Sequence, residues 1–285
     1  MWMRRTLLAA GLVGASSGAY GFGYSPFSGP AVTRYALTPA GWPPGLRLRI
    51  AVLADLHAGA PLVTEARVAG IVAATNALAP DMVLLLGDYG PVSLLVPKPP
   101  RPADIAAILG GLRAPLGRFA IAGNHDWWED RAAMARHGGR PEWLRALGEA
   151  GITPLQNQAI RMPQGFWLAG IDSQIAFAFN DGADDLPGTL ATITDAAPVI
   201  LMAHEPDIFA CMPDRVALTL CGHTHGGQVR ILGYSPRVPS RYGNRYAYGL
   251  VREGSRALIV SGGLGTSKIP VRFGVPPEIV EITLG

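Results

Sequence analysis

Lysine is nearly absent from this chain: Lys98 and Lys268 are the only two, and almost every cation is an arginine. Charged residues fill 16% of the 285 positions and the net charge is +3, which leaves no electrostatic footprint for nucleic acid. No nucleic-acid or protein partner is predicted. Cysteine is equally scarce. Cys211 and Cys221 are too few for a disulfide scaffold or a thiolate zinc framework, and Cys221, closing an apolar run, reads as a small buried residue. Apolar runs long enough to span a bilayer are missing, since Leu7 to Tyr20 falls short of the ~20 residues such a helix needs. Neither a His-x-His-x-Asp-His block nor a strand-to-helix nucleophile elbow occurs, which ranks hydrolases of C–N and C–O bonds low. What is abundant is apolar: 49% hydrophobic residues exclude disorder as the main character and predict a sizeable core.

The first 24 residues read as an address. Arg4 and Arg5 precede an uncharged stretch rich in Leu, Ala and Gly, and Ser17-Gly18-Ala19 offers small residues suited to cleavage. A cleaved leader and an uncleaved membrane anchor are both open, which places the protein in or near the inner membrane or exported beyond it. The paired arginines match a twin-arginine export signal loosely. Residues 25–45, with Pro26, Pro30, Pro39, Pro43 and Pro44 among glycines, read as a linker. The catalytic domain is expected over 46–285.

From there, short apolar runs alternate with helical patterns. Leu46 to Ala54, Met82 to Leu86, Arg118 to Ala122, Phe166 to Ile171, Val199 to Ala203 and Val216 to Leu220 read as buried strands. Helices are expected at 64–78, with Thr64 as N-cap, and near 103–112, 141–150 and 206–211. Five of the six histidines lie where a strand ends. Asp55-Leu56-His57 leaves the first strand, and residues two apart in extended backbone project to one side, so this pair is expected to converge on one ion. Gly87-Asp88 leaves the second, the glycine permitting a sharp turn. Gly123-Asn124-His125-Asp126 leaves the third, bringing a neutral oxygen ligand to a charged site. His204 leaves another strand, and Gly222-His223-Thr224-His225-Gly226 supplies two imidazoles on a tightly turning backbone.

Other polar residues read differently. His137, in a loop of arginines and glycines, has the marks of an exposed histidine without chemistry. The acidic loop 180–185 lacks the glycine position and closing glutamate of a calcium loop and reads as a solvated turn. The segment Pro91 to Pro102, with Leu94, Leu95 and Val96 among prolines, has no helical period, and both a flap over the site and a membrane-facing loop are open.

The order Asp-x-His, Gly-Asp, Gly-Asn-His-Asp, His, Gly-His-x-His resembles the calcineurin-like metallophosphoesterases. Gly-His-Thr-His-Gly-Gly-Gln-Val and the tail from Ser261-Gly262-Gly263 to Glu278-Ile279 look like a bacterial branch that often carries a leader or membrane segment. The resemblance implies an α/β (α+β) fold, a four-layer αββα sandwich of two mixed β-sheets flanked by helices. It implies two divalent cations, with Asp55, His57 and His225 holding one, Asn124, His204 and His223 the other, and Asp88 bridging them. His125 is then free to protonate a leaving alkoxide, with Asp126 as orienting partner. Nitrogen and oxygen donors without thiolate suit Mn, Fe or Zn. No acid follows Asp88, where Gly90-Pro91 stands, so a carboxylate to orient a metal ligand from behind has no candidate there.

Arginines and tyrosines follow the metal pair, and Arg230, Arg241 and Tyr242 are the candidate substrate residues. The implied reaction is hydrolysis of a phosphodiester or pyrophosphate in a lipid-linked molecule, with UDP-2,3-diacylglucosamine the most specific candidate and membrane association expected. A broad envelope phosphodiesterase or phosphatase is the alternative, and a non-catalytic metal-binding protein a lesser one.

Overall fold

In the computed structural model, which describes Ser16 and residues 18–285, two six-stranded sheets lie face to face. The first has the order β1 (Ala31–Leu37), β12 (Glu278–Leu284), β2 (Leu48–Leu53), β3 (Met82–Leu85), β4 (Arg118–Ala120), β5 (Thr153–Pro154). The second runs β10 (Gly249–Glu253), β11 (Arg256–Val260), β9 (Val216–Cys221), β8 (Val199–Met202), β7 (Phe166–Gly170), β6 (Gln158–Met162). Within each, the central strands are parallel.

Burial alternates along each central strand, which explains why the runs are apolar throughout. Ile50 and Val52 of β2, and Met82 and Leu84 of β3, face Ile200, Met202, Leu218 and Leu220 of the opposite sheet. Ala51, Leu53, Val83 and Leu85 turn the other way, onto α1 (Glu65–Ala77), α2 (Pro102–Leu109) and the later α5 (Glu142–Glu149). The outer face of the second sheet packs Val199, Leu201 and Leu258 against Leu186, Ile208 and Phe209, from short helical turns. Four layers result, as expected. Thr64 caps α1 by accepting from the Arg67 amide at 3.3 Å.

Residues 25–45 are not wholly a linker. Ala31–Leu37 forms β1, parallel to β12 from Ala31 opposite Glu278 to Leu37 opposite Leu284. Pro30 and Pro39 bound a run with β-branched and aromatic residues rather than interrupt it, and an edge strand tolerates prolines at its ends. The expected leader falls mostly outside the described residues. Its last part, Ala19–Tyr24, is a short helical turn whose buried Gly21 accepts from the Arg272 amide at 2.9 Å. No helix among the described residues is long and apolar enough to cross a membrane.

Candidate metal centre

The C-terminal ends of β2, β3 and β4 in one sheet, and of β8, β9 and β11 in the other, open at the same edge. Loops leaving parallel strands at that edge are where α/β proteins assemble sites. Asp55, Asp88, Asn124, His204 and His225 are all buried there, within reach of one another. Asp55, His57 and His225 present ligand atoms within 4.8 Å of each other, and so do Asp55, Asp88 and His204. His223 Nδ1 lies 2.9 Å from Asn124 Oδ1.

The backbone that achieves this is not the extended one expected for Asp55 and His57. Their φ angles are 51° and 45°, and Asp88 (58°), His223 (68°) and His225 (52°) are also left-handed. Side chains rarely adopt this region, at a cost of roughly 1–3 kcal/mol each, so tertiary contacts must enforce it. The contacts are visible. The Asp55 amide donates to Gly87 O at 3.1 Å, the His57 amide to Asp88 O at 3.0 Å, and Gly265 N to Asp55 O at 2.7 Å. Asp55 in turn accepts from His223 N through both oxygens, at 3.0 and 3.1 Å, tying the two sheets together. Gly87 and Gly123 are needed for sterics: a Cβ on Gly87 would lie 2.3 Å from Gly123 N, and one on Gly123 would lie 2.2 Å from Asp88 Oδ1.

Backbone carbonyls set the imidazole tautomers. His57 Nδ1 faces Gly90 O at 2.9 Å and His204 Nδ1 faces Leu86 O at 2.6 Å, so each donates there and turns Nε2 inward; burial lowers the His204 pKa, but Asp88 facing its Nε2 outweighs that and holds it well above the usual range. Gly90 thus fills, with a main-chain oxygen, the role for which the sequence offered no acid. Burial pushes His57 down to about 4, His223 to about 3, and His225 well below its usual range, leaving these rings neutral and able to ligate. Asp55 is pushed up to about 7 by burial, with Asp88 adding to the rise.

These residues fit a pair of cations. His57 Nε2 and His225 Nε2 face each other at 3.1 Å, and His204 Nε2 is buried with no hydrogen-bond partner, 3.4 Å from Asp88 Oδ2 and 4.0 Å from Asp55 Oδ1. Lone pairs and carboxylates aimed at common buried points are costly unless positive charge lies between them. Glu205, also within range of His204 and His223, is already committed: it accepts from Ser173 Oγ at 2.5 Å and Gln174 N at 2.9 Å.

The decisive comparison is with protein families: residues 48–227 match the calcineurin-like phosphoesterase model. The chain belongs to that family. Metallophosphoesterase relatives include YkuE of Bacillus subtilis (uncharacterized), 30% identical over 97% of this chain and 93% of its own. Escherichia coli phosphodiesterase YaeI is 32% identical over 83% and 82%. A Bos taurus transmembrane protein with a metallophosphoesterase domain is 28% identical over 90% of this chain and 57% of its own. Among solved structures, Haemophilus influenzae NAD nucleotidase aligns at a TM-score of 0.47 and 14% identity, over 76% of this chain and 45% of that one. The protein is therefore a metal-dependent phosphoester hydrolase, and its clustered aspartates and histidines fit a dinuclear divalent site.

Within this metallophosphoesterase, two sequence readings change. Asp126 does not orient His125. Its carboxylate accepts from the amides of Asp88 (2.8 Å), Gly123 (2.8 Å) and Tyr89 (3.0 Å), pinning the loop that presents Asp88 to the loop that presents Asn124. As the third residue of α3 (Asn124–Trp128), it faces back across its own N-terminus, a direction its place beside His125 does not reveal. The His125 ring lies edge-on to His57 at 5.8 Å and Trp128 at 4.9 Å, with Nδ1 buried and unpartnered. Arg230 points away, donating to Ser235 and Asn244 over the Tyr248 ring. Arg241 and Tyr242 do line a cleft of about 460 Å³ beside His223, where Arg241 is held by Phe179 O at 3.0 Å and Asn180 Oδ1 at 2.6 Å.

His137 is exposed, stacked on Phe177 and 2.9 Å from Asp181. Arg272 escaped sequence reading altogether. Its guanidinium is fully buried behind the site, donating to the carbonyls of Gly262, Gly263, Gly265 and Val275, with Nη2 3.4 Å from His225 Nδ1. Nothing in Phe-Gly-Val-Pro-Pro around it signals a buried cation.

Proposed function

We propose that the protein hydrolyses a phosphodiester or pyrophosphate bond. Asp55, His57 and His225 would hold one cation, Asn124, His204 and His223 the other, and Asp88 would bridge them. The observation that carries this reading is the convergence of imidazole nitrogens and buried carboxylates on common points at one sheet edge. Bound there, two divalent ions supply Lewis acidity and lower the pKa of a shared water. Mn, Fe or Zn suits the mixed nitrogen and oxygen donors.

The chain's own residues do the rest. His125, anchored by its amide to Asp88 Oδ1 at 3.0 Å, keeps its ring at the mouth, where it can give a proton to a departing alkoxide. Arg241 and Tyr242 offer a cationic and aromatic wall to the leaving group. The name of the Escherichia coli relative, a phosphodiesterase, supports a diester over a monoester. A lipid-linked substrate such as UDP-2,3-diacylglucosamine is our preferred class, as the resemblance of the motifs implies.

His125→Ala tests the acid. The variant is expected to keep its full metal content by elemental analysis while kcat on a poor leaving group falls about 10²–10⁴-fold, the span general acid catalysis commonly contributes. Activity on a nitrophenyl ester, whose leaving group needs no proton, should fall much less. Equal losses on both substrates would remove His125 from the acid role.

A further inference from the structure

We infer that the rim of the metal centre is a membrane-docking face that seats on an anionic phospholipid bilayer. Three loops form it, and each continues a segment that leaves the site. The first follows Asp88 and carries Leu94, 98% exposed, and Leu95. The second follows His225 and carries Ile231 and Leu232, the latter fully exposed. The third follows Gly265, which backs onto His57, and carries Ile269, 58% exposed.

Contacts join the three into one surface. Ser93 Oγ donates to Lys268 O at 3.2 Å, Gln228 Nε2 donates to Ile269 O at 3.3 Å, and Arg230 N donates to Phe273 O at 2.7 Å. Large aliphatic side chains at loop tips, in no core and bound to no neighbour, mark an interaction surface rather than a folding need.

A bilayer is the occupant these features favour. The Ala19–Tyr24 turn lies on the same strap: Tyr20 packs edge-on against Phe273 at 5.9 Å, and Phe22 is exposed. The sequence that precedes this turn, from Leu7 to Gly18, is uncharged and mostly apolar. The chain's only two lysines, Lys98 and Lys268, are on the first and third loops, where long cationic stems meet lipid phosphates while apolar neighbours enter the acyl boundary. The inference rests on the proposed reaction only for the lipid character of the substrate, which docking would bring to the cleft.

The test is a binding measurement that needs no turnover. Full-length protein carrying Cys211→Ser and Leu232→Cys is labelled with an environment-sensitive fluorophore and mixed with vesicles of phosphatidylglycerol and phosphatidylcholine. Emission should rise severalfold and be quenched by spin-labelled lipid, and phosphatidylcholine alone should give less. The same label at Ser255→Cys, on the β10–β11 turn at the opposite strand ends, should not respond. If the vesicles capture the protein while both labels behave alike, the N-terminal segment alone anchors it and the docking face is wrong. A rise without lipid that grows with protein concentration would make this a contact between copies, also overturning it. Hydrolysis of bis(p-nitrophenyl) phosphate by a Leu94→Ser/Leu232→Ser variant should stay unchanged, so a failure of docking is distinguishable from a failure of the hydrolase reading.

Discussion

Asp88→Ala is expected to lose bound metal and reduce turnover about 10³-fold or more. Lewis-acid stabilisation amounts to several kcal/mol, and each ~1.4 kcal/mol is tenfold in rate. Asp88 reaches both halves of the site. Its Oδ2 lies 3.4 Å from His204 Nε2 and 3.7 Å from His57 Nε2, and its Oδ1 accepts the His125 amide. Removing it would take away the proposed shared ligand and free the His125 amide. The fold should survive, because Asp126 still holds the neighbouring amides of residue 88, Tyr89 and Gly123. Elemental analysis after gel filtration, with circular dichroism as the folding control, checks both halves of this expectation. Full metal content with lost activity would demote Asp88 from ligand to positioning residue.

Arg272→Met should have the largest effect on stability. The side chain is fully inaccessible, and its donors satisfy carbonyls in the strap from Gly262 to Gly265 and beyond. Burial lowers its pKa only to about 10, with Asp55 and Glu278 opposing the fall through space, so it is charged at neutral pH. Methionine preserves much of the apolar stem but orphans these oxygens. Leaving one buried acceptor without its donor costs about 1–3 kcal/mol, and the carbonyls of Gly262, Gly263, Gly265 and Val275 all lose theirs, so a loss of about 3–5 kcal/mol is expected. In a domain of this size that lowers Tm by roughly 10 °C. Arg145→Met, at an exposed position, should change stability by less than about 0.5 kcal/mol and serves as the control. A loss below about 1 kcal/mol for Arg272 would mean that water replaces its hydrogen bonds and that the strap is held by something else.

Much of the molecule was legible because its chemistry is local. Apolar runs such as Met82 to Leu86 announce buried parallel strands, and a polar motif at each exit announces a site at one sheet edge. The ligands' backbone was not legible. Left-handed φ at Asp55 is held by hydrogen bonds to Gly87 and from Gly265 and the opposite sheet, all distant in sequence. The same holds for Asp126, whose partners Asp88 and Tyr89 come from another strand, and for β1, whose pairing with β12 joins the two ends of the chain. Arg272 was hidden for a related reason: isolated arginines are ordinarily exposed, and only a ring of carbonyls from a remote glycine loop makes burial tolerable.

The central claim is that these converging residues hold cations which make the chain a phosphodiesterase. The most direct measurement is hydrolysis of bis(p-nitrophenyl) phosphate after chelation, followed by separate addition of Mn, Fe, Zn and Mg. Turnover should vanish on chelation and return with Mn, Fe or Zn as about two ions bind per chain, the number a two-metal site requires. Two bound ions per chain with no hydrolysis under any of these metals would contradict the account.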